Sequence, residues 1–211
     1  GLMPYAKAYL GTFRNYFSTI GVCGGNEACL NLLGKDITSP EGIEFITQTL
    51  EFMRKKLVQF QQKTGHLYNL EATPAESTAY RLALLDRQHH KDIITAGTRA
   101  APYLTNSTQL PVDKTDDVIE AVLHQNKIQP LYTGGTVFHT FLGEEIDDWR
   151  ACRELVKKIA YNTRLPYFTI TPTFSICSKH GRLRGKRFTC PKCGKATEVY
   201  SRIVGYFRSV R

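Results

Sequence analysis

His66-Leu67-Tyr68-Asn69-Leu70-Glu71-Ala72-Thr73-Pro74-Ala75-Glu76 is the stretch on which the reading of the fold turns. Its first seven residues alternate in the manner of a strand. Thr73 to Glu76 then reads as a capping box with Pro74 at the first helical position, which predicts a helix over 74–87. A strand running directly into a helix is a building unit of parallel α/β folds. Upstream, Ser39, Pro40 and Glu41 form an N-terminal helix signal, and Ile46, Leu50, Met53, Leu57 and Phe60 lie on one stripe, so a helix is expected over 40–62. Residues 1–38 read as a short helix, a turn around Gly21–Gly25 and a second short helix through Glu27–Leu33. Downstream, 95–114 reads as a loop, and Thr115-Asp116-Asp117 opens a helix that stops before Pro130. Gly134-Gly135 precedes a strand over Thr136–Leu142. A helix over Glu144–Asn162 places Ile146, Trp149, Cys152, Val156 and Ile159 on one face, and Tyr167–Phe174 is rich in β-formers. Three clear strands separated by helices indicate an α/β fold, too few for a closed barrel and hence part of a larger one.

The chain has 211 residues, and 42% hydrophobic with 22% charged residues is globular usage, which excludes a disordered tail or a collagen-like fibre. No apolar run approaches the roughly 20 residues that span a bilayer. The first thirty residues lack a secretory pattern, so a soluble cytoplasmic protein without membrane association is expected. The net charge of +9 is concentrated at one end. From Cys177 to Arg211 there are ten Lys and Arg against Glu198 alone, while the other 176 residues carry eighteen of each sign. Such a cationic cap serves either an anionic partner or a solvated basic surface.

Cys177-Ser178-Lys179-His180 and Cys190-Pro191-Lys192-Cys193-Gly194 are the chemically strongest motif. Each pairs two soft or borderline ligands on one tight turn, and two such knuckles close a tetrahedron around Zn²⁺. Four protein ligands leave no open position, so the site reads as structural. A water or an external residue is the alternative to His180. Cys23, Cys29 and Cys152 are scattered, which fits a reducing compartment and not a disulfide framework.

Ser201-Arg202-Ile203-Val204-Gly205-Tyr206 follows close to the C-terminus. Taken alone, Gly205 in a β-like run is a bulge or a turn. Arg-x-x-Gly-Tyr near a C-terminus is also the pattern of a glycyl radical enzyme, where a residue without Cβ lets a Cα radical flatten and delocalise into the flanking amides. The resemblance then becomes specific. The chain resembles the C-terminal part of the anaerobic (class III) ribonucleoside-triphosphate reductase large subunit. The matching stretches are Tyr16–Val22, Gly25–Ala28, Asn69–Glu76, Tyr132–Thr136, the Cys177–Cys193 knuckles and Ser201–Tyr206, in that order.

That resemblance implies part of a ten-stranded α/β barrel over 1–174, a zinc knuckle over 175–196 and a glycyl radical loop over 197–211. Gly205 would store the radical, generated by a separate activating enzyme with S-adenosylmethionine and an iron–sulfur cluster. The other implied partners are the N-terminal part of the reductase, a ribonucleoside triphosphate substrate, formate or a redoxin as reductant, and a second copy in a homodimer. The function so implied is an oxygen-sensitive oxidoreductase making deoxyribonucleotides for DNA synthesis. The finger-loop cysteine that acts on the ribose belongs to the family's upstream region, so this chain alone is expected to be inactive. Cys23 is a candidate substitute, but its surroundings match a segment beyond the finger loop.

Several candidates keep two readings. Thr73, Pro74 and Ala75 form either a seat for substrate phosphates at a helix N-terminus or an ordinary capping box in which Glu76 fills that place. Gly134 and Gly135 allow close backbone approach to a ligand or make a plain turn. His139 reads as a satisfied core residue, and His89-His90 as an exposed helix end. The rival from another class is a nucleic-acid-binding zinc ribbon with a basic tail, against which the charge-neutral body speaks.

Overall fold

The computed structural model describes residues 2–111, 114–115, 117–143, 145–203 and 206–209. The chain divides into two compact units, one of residues 1–111 with 130–136, the other of 112–129 with 137–211. Among the described residues, no helix is long and apolar enough to cross a membrane.

The first unit contains α1 (Pro4–Leu10), β1 (Phe17–Gly21), α2 (Gly25–Leu33), α3 (Pro40–Thr64), β2 (Leu67–Glu71), α4 (Glu76–His89), β3 (Ala96–Gly97) and β4 (Pro102–Tyr103). β1 and β2 pair in parallel from Phe17↔Leu67 to Gly21↔Glu71, with α2 and α3 as the crossover that parallel strands require. α3 starts where its sequence says. Ser39 Oγ accepts from Gly42 N at 3.0 Å, Pro40 opens the first turn, and Gly65 closes the helix at φ 71°. Glycine is needed at position 42, because a Cβ there would overlap Asp36 O. The stripe buries Ile46, Leu50 and Leu57, joined in the core by Cys29, Ile37 and Leu70. Phe60 is exposed and meets the Tyr68 ring at 6.0 Å.

Three expectations change here. Phe17–Gly21 is a strand where no strand was expected, and all five residues are exposed, so its burial carries no alternation. The Thr73–Glu76 capping box does not form. α4 begins at Glu76, with Ala75 as its N-cap and no side-chain cap, so Pro74 precedes the helix. The stretch 95–114, expected as loop, contains the short antiparallel pair β3–β4.

The motif Gly25-Asn26-Glu27-Ala28 proves to be a clamp. Glu27 is buried at the start of α2 and accepts from Thr105 N at 2.8 Å and Thr105 Oγ1 at 2.7 Å. Asn26 Oδ1 accepts from Ile37 N at 3.3 Å, and Gly25 N donates to Ser107 O at 2.8 Å. Ser107 and Thr108 hydroxyls meet Tyr132 OH at 2.7 and 2.8 Å. The clamp ties residues 105–108 to the turn after β1.

The second unit contains α5 (Val118–Ile128), β5 (Phe138–Leu142), α6 (Trp149–Asn162), β6 (Phe168–Pro172), β7 (Phe174–Cys177), β8 (Gly181–Arg184), β9 (Glu198–Ile203) and β10 (Tyr206–Ser209). A 3₁₀ turn, Gln129–Leu131, follows α5. β5 and β6 form a second parallel pair, with α6 as its crossover. Its core is Val122, Phe138 and Ile159, packed with Leu155, Phe168 and Ile170. α6 starts at Trp149, because Asp148 accepts from Arg150 N at 2.9 Å. Ile146 therefore lies outside the helix, and the packed row includes Leu155, whereas Trp149 and Val156 are exposed. β7–β10 form an antiparallel sheet in the order β10-β9-β7-β8, so the end of the chain holds more strands than the β-rich run alone suggested. The fold is mixed α/β, with two parallel pairs and this antiparallel sheet.

Candidate functional site

Cys177 ends β7, and His180 occupies the turn into β8, which Gly181 completes at φ 71°. Cys190 and Cys193 lie on a second turn. Cys190 N donates to Lys195 O and Gly194 N to Cys190 O, each at 2.8 Å, with Gly194 at φ 68°. The four ligand atoms fall within 4.8 Å of one another, forming a cluster that could hold a metal ion. Cys177 Sγ stands 3.8 Å from Cys193 Sγ and from His180 Nδ1, and Cys190 Sγ stands 3.4 Å from His180 Nδ1. A tetrahedron with bonds of about 2.3 Å to sulfur and 2.0 Å to nitrogen has edges of roughly 3.5–3.8 Å, so these spacings fit one. The N–H groups of Lys179 and then His180, aimed at the Cys177 sulfur, pull its thiol down to about 6, toward the thiolate that binds metal. His180 belongs to the cluster, as the spacing proposed.

The cationic cap meets acids of its own chain. Residues 144–148 read Glu-Glu-Ile-Asp-Asp. Arg182 Nη2 pairs with Glu145 Oε1 at 2.6 Å, and Arg184 pairs with Asp147. Arg182 also lies 4.3 Å over the Phe174 ring, which stacks on Tyr200 at 5.6 Å. The sequence reading missed this ladder, although the i, i+2 repeat of arginines on a strand against an i, i+2 repeat of acids was visible. Two cations of the cap are thus already engaged, which weakens the nucleic-acid reading.

In the first unit, Thr73 lies on Gly21. A Cβ at Gly21 would overlap Thr73 Oγ1 and stand 2.9 Å from Thr73 Cβ. Residues 133–135 run alongside β2. Thr133 N and Gly134 N donate to Leu70 O at 3.1 and 2.7 Å, and Ala72 N donates to Gly135 O at 2.9 Å. A Cβ on Gly134 would sit 3.1 Å from the Asn69 side chain, and one on Gly135 would sit 3.2 Å from Glu71 Oε1. The structure therefore brings Thr73, Gly134 and Gly135 to the carboxyl end of β2, with Pro74 and Ala75 leading into α4.

The remaining candidates separate clearly. Cys23 is half-buried, with its sulfur 3.8 Å from Thr105 O, and burial followed by Glu27 pushes its thiol upward, which suppresses thiolate reactivity. His139 Nδ1 meets Thr169 Oγ1 at 2.8 Å, and burial followed by Arg202 pushes its pKa downward, the environment of a neutral, satisfied imidazole. His89 is exposed, with Nδ1 2.8 Å from Leu85 O. Gly205, the expected radical position, lies outside the described residues.

The chain is 26% identical over 170 residues to the anaerobic ribonucleoside-triphosphate reductase of Escherichia coli (strain K12), covering 76% of this chain and 23% of that protein. It is 26% identical over 209 residues to the enzyme of the same name from Enterobacteria phage T4, covering 92% and 32%. The crystal structure of the anaerobic ribonucleotide reductase from Thermotoga maritima with dATP bound in the specificity site matches with a TM-score of 0.72 and 28% identity, over 100% of this chain and 35% of that one. The chain thus spans about a quarter to a third of these relatives. A family model described as anaerobic ribonucleoside-triphosphate reductase matches residues 3–211, essentially the whole sequence, and on that ground the chain belongs to this family.

Proposed function

We propose that this chain is the C-terminal part of an oxygen-sensitive anaerobic ribonucleoside-triphosphate reductase and carries, on Gly205, the glycyl radical used to reduce ribonucleotides to deoxyribonucleotides. The observation that carries this reading is the Cys/His cluster, whose last ligand, Cys193, precedes Gly205 by twelve residues within Arg202-Ile203-Val204-Gly205-Tyr206. Zinc suits the donor set of three thiols and one imidazole, and with all four positions taken by protein it would serve structure. Cys177, His180, Cys190 and Cys193 would hold β7, β8 and the start of β9 together just ahead of Gly205.

The barrel is proposed on similar grounds. Parallel sheets are stable when both faces are covered, and a two-stranded pair alone is marginal. β1–β2 and β5–β6 are both two-stranded parallel pairs, and β1 is exposed along its whole length. Further strands from the N-terminal part of the reductase would complete a ten-stranded barrel. That part would also supply the finger-loop cysteine, a role the half-buried, upshifted Cys23 is poorly suited to fill.

Thr73, Pro74 and Ala75 would receive the substrate's phosphates, a reading supported by the uncapped N-terminus of α4, with Gly134 and Gly135 giving the backbone close approach. The proposed partners are the S-adenosylmethionine-dependent activating enzyme, a ribonucleoside triphosphate, formate or a redoxin, and a second copy of the subunit.

Incubating the reconstituted enzyme anaerobically with the activating enzyme, S-adenosylmethionine and a reductant should give an organic radical with a doublet from the remaining α-hydrogen. Deuterated glycine should collapse the doublet. Oxygen should then cut the chain at Gly205, a loss that mass spectrometry resolves. A doublet that survives in Gly205→Ala would place the radical elsewhere and refute the reading.

A further inference from the structure

The helix α3 divides its charge in two. Residues 41–51 carry Glu41, Glu44 and Glu51 and no base, and residues 52–64 carry Arg54, Lys55, Lys56 and Lys63 and no acid. The helix macrodipole favours acids in the first turn and bases in the last, which accounts for Glu41 and Lys63. Its effect fades within one turn of either end, so it does not account for Glu51, Arg54, Lys55 and Lys56 at mid-helix. Pairing within the helix does not account for them either. Among the described residues the one ion pair of α3 joins Glu41 to Lys35, and Glu51 and Lys55 stand four apart without forming one.

The outward face also carries a seam. Ile46, Leu50 and Leu57 enter the core, and on the opposite side Glu44, Gln48, Glu51, Lys55, Val58 and Gln62 are all exposed. These six recur at 4, 3, 4, 3, 4 spacing, the heptad rhythm along which two helices can lie side by side. The spacing reads the same in both directions from the level of Met53. Turned about a two-fold axis there, a second α3 sets its Gln62 beside Glu44, its Val58 beside Gln48 and its Lys55 beside Glu51, and each contact occurs twice. The acidic half of each copy then lies along the basic half of the other. A parallel arrangement would set acid against acid and base against base. Phe52 and Val58, 59% and 56% exposed, lie near the middle of this face, where pairing withdraws apolar surface from water. A shallow hollow lined by Glu51, Arg54, Lys55, Val58 and Gln59 occupies the same place.

We propose that α3 is a self-association face, on which two copies of this chain pair antiparallel about an axis level with Met53. The contact is isologous, so it closes as a pair and does not extend into a filament. A seam whose apolar member is Val58 alone gives a weak, salt-sensitive association. The inference uses only α3 and stands apart from the reductase reading.

Cysteine cross-linking of the purified full chain reads the register. At 1.5 Å rise per residue, the pairing sets Glu44 roughly 27 Å along the axis from its own counterpart but beside Gln62 of the second copy. A mixture of Glu44→Cys and Gln62→Cys molecules, treated with a short bismaleimide, should give covalent dimers joined 44 to 62, identified by peptide mass spectrometry above the background of the native thiols. Either variant alone should stay at that background. In sedimentation over a range of concentrations, Lys55→Glu should weaken association about tenfold, because two attractions become two repulsions, and adding Glu51→Lys to the same chain should restore it. Ionic strength of about 1 M, where screening acts within about 3 Å, should weaken the wild-type pair as well. All four positions are exposed, and circular dichroism with metal content identifies correctly folded variants. Absence of the 44–62 product, equal yield from either variant alone, or failure of the charge swap to restore association overturns the proposal. A cross-link from 44 or 62 to a segment outside α3 overturns it too, because that segment then covers the face.

Discussion

Gly21→Ala is the sharpest perturbation of the proposed phosphate end of the site. The new Cβ would overlap Thr73 Oγ1 and come within 2.9 Å of Thr73 Cβ. Rotating Thr73 about χ1 moves its hydroxyl but not its Cβ, so rotation alone leaves a contact too short, and the backbone after β2 must also shift. Overpacking of this kind costs about 1–3 kcal/mol. For a chain of this size that lowers Tm by roughly 2–4 °C per kcal/mol, or about 2–12 °C. The backbone of Gly21 is not in the left-handed region, so no conformational penalty is added. Gly143→Ala is the control, because its Cβ would meet nothing within 4 Å. Urea and thermal unfolding of the purified chain should show a loss for Gly21→Ala and almost none for Gly143→Ala. In the reconstituted reductase, displacing Thr73 should raise KM for the ribonucleoside triphosphate about tenfold with little change in kcat. Thr73→Ala added to Gly21→Ala should recover part of the stability, because the overlapping oxygen is gone, but none of the affinity. If Gly21→Ala proved as mild as Gly143→Ala in both assays, the packing argument and the place of Thr73 in the site would fail together.

Three further outcomes follow from the structure. Cys190→Ser should lose the metal in elemental analysis and raise hydrogen exchange after about residue 175, while α3 stays protected, since metal binding supplies folding energy to small knuckles. Glu27→Ala leaves Thr105 N–H and hydroxyl without their acceptor in a buried setting and should cost about 2–4 kcal/mol in urea unfolding; a loss below 1 kcal/mol would show that the clamp bears little of the stability. Glu145→Arg should weaken the seating of β8, and Arg182→Glu in the same chain should restore it. Because both side chains are part-exposed, a coupling of only about 0.5–1 kcal/mol is expected, falling with added salt.

The local features are legible in the sequence alone. Ser39-Pro40-Glu41 names the start of α3 because a cap is made by neighbours three residues apart, and the knuckle spacings name the metal cluster because each half closes within one turn. Tertiary structure decided whatever depended on distant partners. Phe17–Gly21 became a strand by pairing with Leu67–Glu71, some fifty residues away, and no pattern within it announced this. Thr73 gave up its expected capping role because it lies against Gly21 at the end of that pair, which left α4 to start at Glu76. The buried row of α6 turned from Val156 to Leu155 because Asp148 set the start and Val122 and Phe138 lay opposite. The basic end of the chain, read from composition as serving either an anionic partner or a solvated surface, found part of its answer in Glu145 and Asp147, since charge counts along a sequence carry no information about which charges the fold places side by side.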